Sequence, residues 1–215
     1  EGDGRVLAIT ARQALSHTTG FPNWRPDHAT PNPGPLRIIS DPGSKFSYSG
    51  EGYLYLQRAI EARTGVGIET FMQGTTLQPL GMSRSGYVWS DHFLPDLAAP
   101  HGALGTAAYK SRPLEAKAPA TLHTTVRDFT AFVGQMLNGA DRVAGDMLQP
   151  QVEPKPPFTW SLGWGLERRP EGDWFWQWGD NIRFMHFVMG SRSQRRAVVV
   201  LTNGLNGAHV FRAVV

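Results

Sequence analysis

Apolar positions along this chain are arranged in two ways, and the change from one to the other falls near residue 150. In the first part the spacing is helical. "TARQALSH" puts Ala11, Ala14 and Leu15 on one face, with Gly20 shortly after. "GEGYLYLQRAIEARTG" repeats Tyr53, Leu56, Ala59, Ile60 and Arg63 at helical intervals, with Ser49 or Gly50 to cap its start and Gly65 to stop it. "TTVRDFTAFVGQMLNG" predicts a third helix, begun by Thr124 or Thr125 and ended by Gly139. Asp128 follows Thr125 as in a capping box, and Phe129, Phe132, Val133, Met136 and Leu137 form the apolar face. Between the first two helices, "FPNWRPDHATPNPGP" (21–35) is too rich in proline for helix or strand, and such long connections often line sites.

Beyond residue 150 the stretches "TWSLGWGLE", "DWFWQWG", "RFMHFVMG" and "RAVVVLTNG" are short, aromatic or β-branched, and divided by polar turns. They predict antiparallel strands, and "GAHVFRAVV" predicts a closing helix. Helices followed by an antiparallel meander give an α+β fold. The expectation is one domain over 1–215, mainly helix and loop over 1–150 and mainly sheet over 151–215.

Composition narrows the chemistry. The chain has 215 residues, 40% hydrophobic and 18% charged, with seven Trp, eleven Phe and five Tyr. That is ordinary for a globular domain, with aromatic area to spare for a core and a lined cleft. The net charge is +3, and the one basic run, "SRSQRR" (191–196), sits between two strands as a hairpin tip, so nucleic acid is not an expected partner. There is no cysteine, which excludes disulfides, thiolate metal sites and a cysteine nucleophile. No apolar run is long enough to cross a membrane as a helix, and "EGDGRV" has no apolar leader segment.

No complete catalytic motif is present. No serine has glycines at both flanking elbow positions. The four lysines, Lys45, Lys110, Lys117 and Lys155, follow Pro42, Ala107, Leu114 and Val152 by three residues, so no S-x-x-K exists. The seven histidines (His17, His28, His92, His101, His123, His186, His209) form no metal-binding spacing, and each alone reads as structural or solvated. No metal and no cofactor are implied. Tyr48, between two serines ahead of the second helix, reads on its own as a packing aromatic.

Several stretches taken in order change that reading. "ITARQALSHTTGFPNW", "FSYSGEGYLYLQRAIEARTG", "LQPLGM" (77–82), "APATLHTTVRDFTAFVGQML", "SLGWGLE", "FWQWGDN" (175–181) and "VVVLTNG" resemble, in sequence and spacing, the signatures of the penicillin-recognising serine hydrolases. That family includes class C β-lactamases, D,D-peptidases and related esterases. The resemblance implies a β-lactamase/D,D-peptidase-like domain: an antiparallel sheet flanked by helices, working through an acyl-enzyme on an ester, a D-amino-acid peptide or a β-lactam. Tyr48 matches the family's proton-transfer tyrosine, which works only with its pKa lowered by nearby cations, since free phenol titrates near 10. Ser49 and Gly50 complete that segment, with Gly50 where many relatives carry Asn. Gln177, Trp178 and Gly179 stand where relatives carry Lys-Thr-Gly or His-x-Gly, and the Asp180 N–H matches one arm of the oxyanion hole. Gln177 hydrogen-bonds but carries no charge.

The resemblance further implies that the family's S-x-x-K, first strands and nucleophile helix lie upstream of Glu1. Four expectations follow. This chain alone is inactive in acyl transfer. A missing N-terminal segment, a second polypeptide or self-association covers its exposed core. The substrate is a small molecule. The location is periplasmic or secreted, as in most relatives, with the cytoplasm also open. Two other readings stand beside the hydrolase: a catalytically silent family member acting as a binding or scaffold module, and an unrelated α+β binding protein.

Overall fold

The change of pattern near residue 150 is a change of architecture. In the computed structural model, which describes residues 3–215, the first part carries α1 (Ala11–Leu15), α2 (Gly50–Thr64), α3 (Ile68–Met72), α4 (Val126–Leu137) and α5 (Arg142–Met147). The second part is six strands and a closing helix: β1 (Val152–Lys155), β2 (Phe158–Trp160), β3 (Gly165–Arg169), β4 (Gly172–Asp180), β5 (Met185–Ser191), β6 (Arg196–Leu201) and α6 (Gly207–Val214). The strands form one antiparallel sheet in chain order. Glu1 and Gly2, the start of the segment with no apolar leader, lie outside the described residues.

Local chemistry explains the helix ends. Thr10 and Gln13 exchange hydrogen bonds in a capping box at α1. The Ser49 hydroxyl accepts the Gly52 N–H at α2, and Gly65 ends that helix with φ 75°. Thr125 accepts the Asp128 N–H at α4, as its spacing predicts. "TWSLGWGLE" divides between β2 and β3 around a turn at 161–164, and β1, α3 and α5 are additions that no period announces.

The core lies between α4 and the sheet. Val133 and Met136 pack with Phe175, Val188, Trp164 and Ala144, and Phe129, Phe132 and Leu137 flank them. Strand residues alternate faces, so Phe187 points the opposite way from Val188. There Phe211 of α6 stacks on Phe187, ring centroids 5.2 Å apart. The sheet is thus covered by α4 on one face and α6 on the other.

α2 departs from its period. Tyr53, Leu56 and Ile60 are only half-buried, and Ala59 and Arg63 are exposed. Its buried residues are instead Gly50, Glu51, Gly52 and Gln57. Polar anchors set this orientation. Glu51 pairs with Arg25, while Gln57 donates to the Ala116 carbonyl at 2.9 Å and accepts the Ala118 N–H at 2.8 Å. The 21–35 connection contains no helix or strand, in line with its proline content.

Candidate active site

Two segments distant in sequence build the site around Tyr48. After α1 the chain turns through Ser16, His17, Thr18 and Thr19, all buried despite being polar. His17 adopts the left-handed region at φ 56°. Its carbonyl accepts the Ser47 N–H at 2.8 Å, and its Nδ1 accepts the Ser49 N–H at 3.0 Å. The His17 ring then lies against Tyr48, centroids 4.0 Å apart, with Tyr53, Trp160 and Phe46 around it. Because Nδ1 accepts, the proton sits on Nε2, which is buried without a partner. Burial lowers the His17 pKa to about 4, so the ring is neutral at ordinary pH.

Tyr48 itself stays accessible, 43% exposed. Partial burial pushes its pKa up rather than down. The resemblance called for nearby cations to lower it; among the described residues the ring meets a neutral imidazole and the Trp160 indole edge instead. The phenol is therefore a proton donor at rest.

Ser49 is fully buried. Its hydroxyl donates to the Pro22 carbonyl at 2.8 Å and accepts the Gly52 N–H at 2.9 Å, so the cap occupies it. Gly50 donates its N–H to Asn23 Oδ1 at 3.0 Å. A Cβ at position 50 would lie 2.6 Å from the Trp24 ring, too close for any side chain without a shift. The Trp24 indole fills the space above Gly50. Trp24 stacks in turn on His28, centroids 4.7 Å apart. The whole turn is clamped by Arg25 on Glu51, whose side chain is 1% exposed. Burial is the largest single influence on Glu51 and raises its pKa, but the hydrogen bonds and charge of Arg25, with the charge of Arg58, together hold the carboxyl below its usual range.

β4 supplies the other wall. Residues 172–176 pair with β3, whereas among the described residues Gln177, Trp178, Gly179 and Asp180 pair only with β5. The strand edge is free there. The Trp178 N–H is accepted by Gln177 Oε1 at 2.9 Å, so it points away from β5 towards that edge. Alternate residues of a strand point their N–H groups the same way, which aims the Asp180 N–H at the free edge too. Gln177 Nε2 donates to the Gly163 carbonyl at 3.2 Å, and the Gly163 N–H donates to the Leu15 carbonyl at 3.0 Å. Tyr53 reaches the same Leu15 carbonyl at 3.2 Å. The 161–164 turn thus ties the β4 edge to the segment that carries His17 and Tyr48. Gly179 has open space where a side chain would be. Trp178 is 51% exposed and lines a cavity of about 290 Å³ with Phe187, Phe211 and Arg212 on the α6 face. The Asp180 carboxylate accepts the Ile182 N–H at 2.8 Å and turns the chain into β5.

The sequence reading missed His17, Asn23, Trp24 and Trp160. The "LSHTTG" stretch held His17 and the 21–35 connection held Asn23 and Trp24, but nothing local paired His17 with Ser49 or Trp24 with Gly50. Among the described residues no group of three or more His, Asp or Glu is placed to hold a metal ion.

A family model described as "Beta-lactamase" matches residues 3–213. Solved structures share the fold at low identity. A class C β-lactamase is 14% identical, with 94% of this chain and 67% of that one covered and a TM-score of 0.78. A β-lactamase/D-alanine carboxypeptidase from Pseudomonas syringae is 16% identical, with 95% and 70% covered and a TM-score of 0.78. A penicillin-binding protein from Bacillus halodurans is 18% identical, with 94% and 72% covered and a TM-score of 0.77. With the ordered signatures, the antiparallel sheet between helices and the family match over nearly all its length, this chain belongs to the β-lactamase family.

Proposed function

We propose that this chain carries the tyrosine and the substrate strand of an acyl-transfer site, and that the nucleophilic serine lies outside these 215 residues. The observation that carries the reading is the pairing of an accessible phenol, Tyr48, with a free strand edge that points the Asp180 N–H outward. The substrate's acyl group lies along that edge. A serine hydroxyl attacks its carbonyl and the strand N–H stabilises the oxyanion; the Tyr48 oxygen takes the serine proton as its own phenol proton passes to the departing oxygen or nitrogen, so the ring ends neutral as it began. The raised phenol pKa keeps the proton on the ring oxygen at rest, as this relay needs; a standing phenolate base would need a cation beside Tyr48. Uncharged Gln177 and the Trp24 indole over Gly50 favour an ester or a D-amino-acid peptide over a β-lactam.

Acylation of the full-length gene product by a fluorophosphonate or a fluorescent penicillin, read by mass spectrometry, tests this. Tyr48→Phe is expected to slow acylation by about 10²–10⁴-fold, the usual range for a proton-transfer group. Undiminished acylation in that variant overturns the role of Tyr48. The 215-residue chain alone is expected not to turn over nitrocefin or p-nitrophenyl esters; turnover that Tyr48→Phe abolishes would sink the outside serine. The neutral Gln177 and the cation-free phenol also favour a second reading, a silent binding module, which predicts ligand binding without any acyl adduct.

We also infer a partner for the sheet. Among the described residues β6 pairs only with β5, and its Val198–Leu201 stretch is half-buried. An unpaired apolar edge invites another strand, from further polypeptide of the same protein or from a second copy. The pure chain is expected to self-associate in light scattering, and a stable monomer at micromolar concentration counts against this. An extracytoplasmic location is proposed from the family alone.

A further inference from the structure

A second set of titratable side chains lies on the face of the sheet that carries Gln177 and Gly179. Lys110 rests on the Phe184 ring, Nζ 4.3 Å from its centroid. The Phe184 and His186 rings are 6.2 Å apart. His186 is the cross-strand partner of Gly179, where a side chain would meet nothing within 4 Å. The open space at Gly179 is therefore bordered by His186. The Asn181 amide donates to the Ala120 carbonyl at 3.2 Å and draws the 120–123 segment, with His123, to the same end of β4.

The hydrogen bonds settle the tautomers. His186 Nδ1 accepts the Thr202 N–H at 3.2 Å, leaving its proton on Nε2 as a free donor. His123 Nδ1 donates to the Thr121 carbonyl at 2.9 Å, and its Nε2 is a buried lone pair without a partner. Burial first, and the Lys110 charge after it, keep both imidazoles below their usual pKa and hence neutral. Burial also lowers Lys110 itself. Among the described residues Lys110 joins no salt bridge. A half-buried ammonium whose neighbours are a phenyl ring and neutral imidazoles lacks a counter-charge, which is costly unless an anion supplies it.

We propose that Lys110 and His186 form a subsite for a carboxylate group in the open space at Gly179, with Lys110 giving the charge and His186 Nε2–H a directed hydrogen bond. Its ligand class is a small acyl compound with a free carboxylate, such as the C-terminal end of a D-amino-acid peptide. The subsite supplies a positive charge beside the same strand on which Gln177 is neutral. Naming its natural ligand rests on the acyl-transfer reading; carboxylate binding does not.

Acetate is the probe, added to the intact chain with chloride making up constant ionic strength. The imidazole resonances are followed by NMR, with His186→Asn to assign the signal. A saturable acetate-dependent movement of His186 is expected. Lys110→Met keeps the stem on Phe184 and is expected to weaken acetate binding by about tenfold or more, because a charge-assisted bond is lost. Lys110→Arg keeps the charge and is expected to retain binding within a few-fold. Should Lys110→Met fail to fold, Gly179→Val fills the open space without touching a charge and is expected to block acetate. A His186 response identical in acetate and chloride overturns the proposal, as does acetate binding unchanged in Lys110→Met or Gly179→Val. Acylation assays play no part in this readout, so each proposal fails separately.

Discussion

The α4–sheet interface and the turn around Tyr48 are both buried, but they cohere by opposite means. Between α4 and the sheet the contacts are apolar: Val133, Met136, Phe175 and Val188 interdigitate and carry no polar atom that needs a partner. Around Tyr48 the buried residues are Ser16, His17, Thr18, Thr19, Ser49 and Glu51, each placed by hydrogen bonds or an ion pair. Apolar burial is non-directional and tolerant of small shifts. Hydrogen bonds are directional and costly to leave unmade. The first region suits a core; the second suits a site that must hold one phenol at one angle.

Matched truncations are expected to separate the two. Phe175→Ala in the core and Glu51→Ala under the turn should each cost about 3–5 kcal/mol, the first through a cavity and the second by stranding the Arg25 guanidinium. Urea unfolding measures the totals. Hydrogen exchange measures where they fall: Phe175→Ala should loosen the whole sheet, whereas Glu51→Ala should speed exchange within 17–25 and 47–52 and leave β4 and β5 protected. Equal patterns in the two variants would dissolve the distinction.

Acid is expected to act on the polar region with a smaller effect. An unfolded histidine takes a proton near pH 6.5. Folded His17 resists until about 4 because it is buried. Between those values the unfolded chain binds more protons, so stability is complete above about pH 6.5 and falls as pH drops. The loss from His17 should reach about 2 kcal/mol between pH 7 and pH 5, at about 1.4 kcal/mol per unit. His123 and His186, also depressed by burial, add in the same direction. His17→Asn, which retains an acceptor for the Ser49 N–H, should remove the His17 share of that slope in urea titrations. A slope identical to the parent's would assign the acid loss to other groups.

Much of the architecture was legible because it is written in short intervals. Thr125 with Asp128, the Ser49 cap and Gly65 at φ 75° all act within one turn of helix, so these ends could be placed from neighbouring letters; the Thr10–Gln13 box is equally local but the sequence reading missed it. Short aromatic and β-branched runs between polar turns in 172–201 marked the strands of the sheet. The α4 face emerged from its period because apolar contacts orient that helix. α2 did not, since Glu51 and Gln57 orient it through partners at Arg25, Ala116 and Ala118, and an apolar period is blind to such partners.

By itself the sequence determined the α+β order of elements, the capped helices and, through ordered signatures, the segments carrying Tyr48 and Gln177. Tertiary structure alone decided that His17 holds the Ser49 N–H, that Trp24 fills the place above Gly50, that the 161–164 turn joins Gln177 to Leu15, and that Lys110 meets Phe184. The reason is physical. Period and cap chemistry record which side of an element is buried and how its ends are satisfied. A contact between side chains dozens of residues apart depends on the path of aperiodic loops, and that path is chosen by the packing of the whole chain.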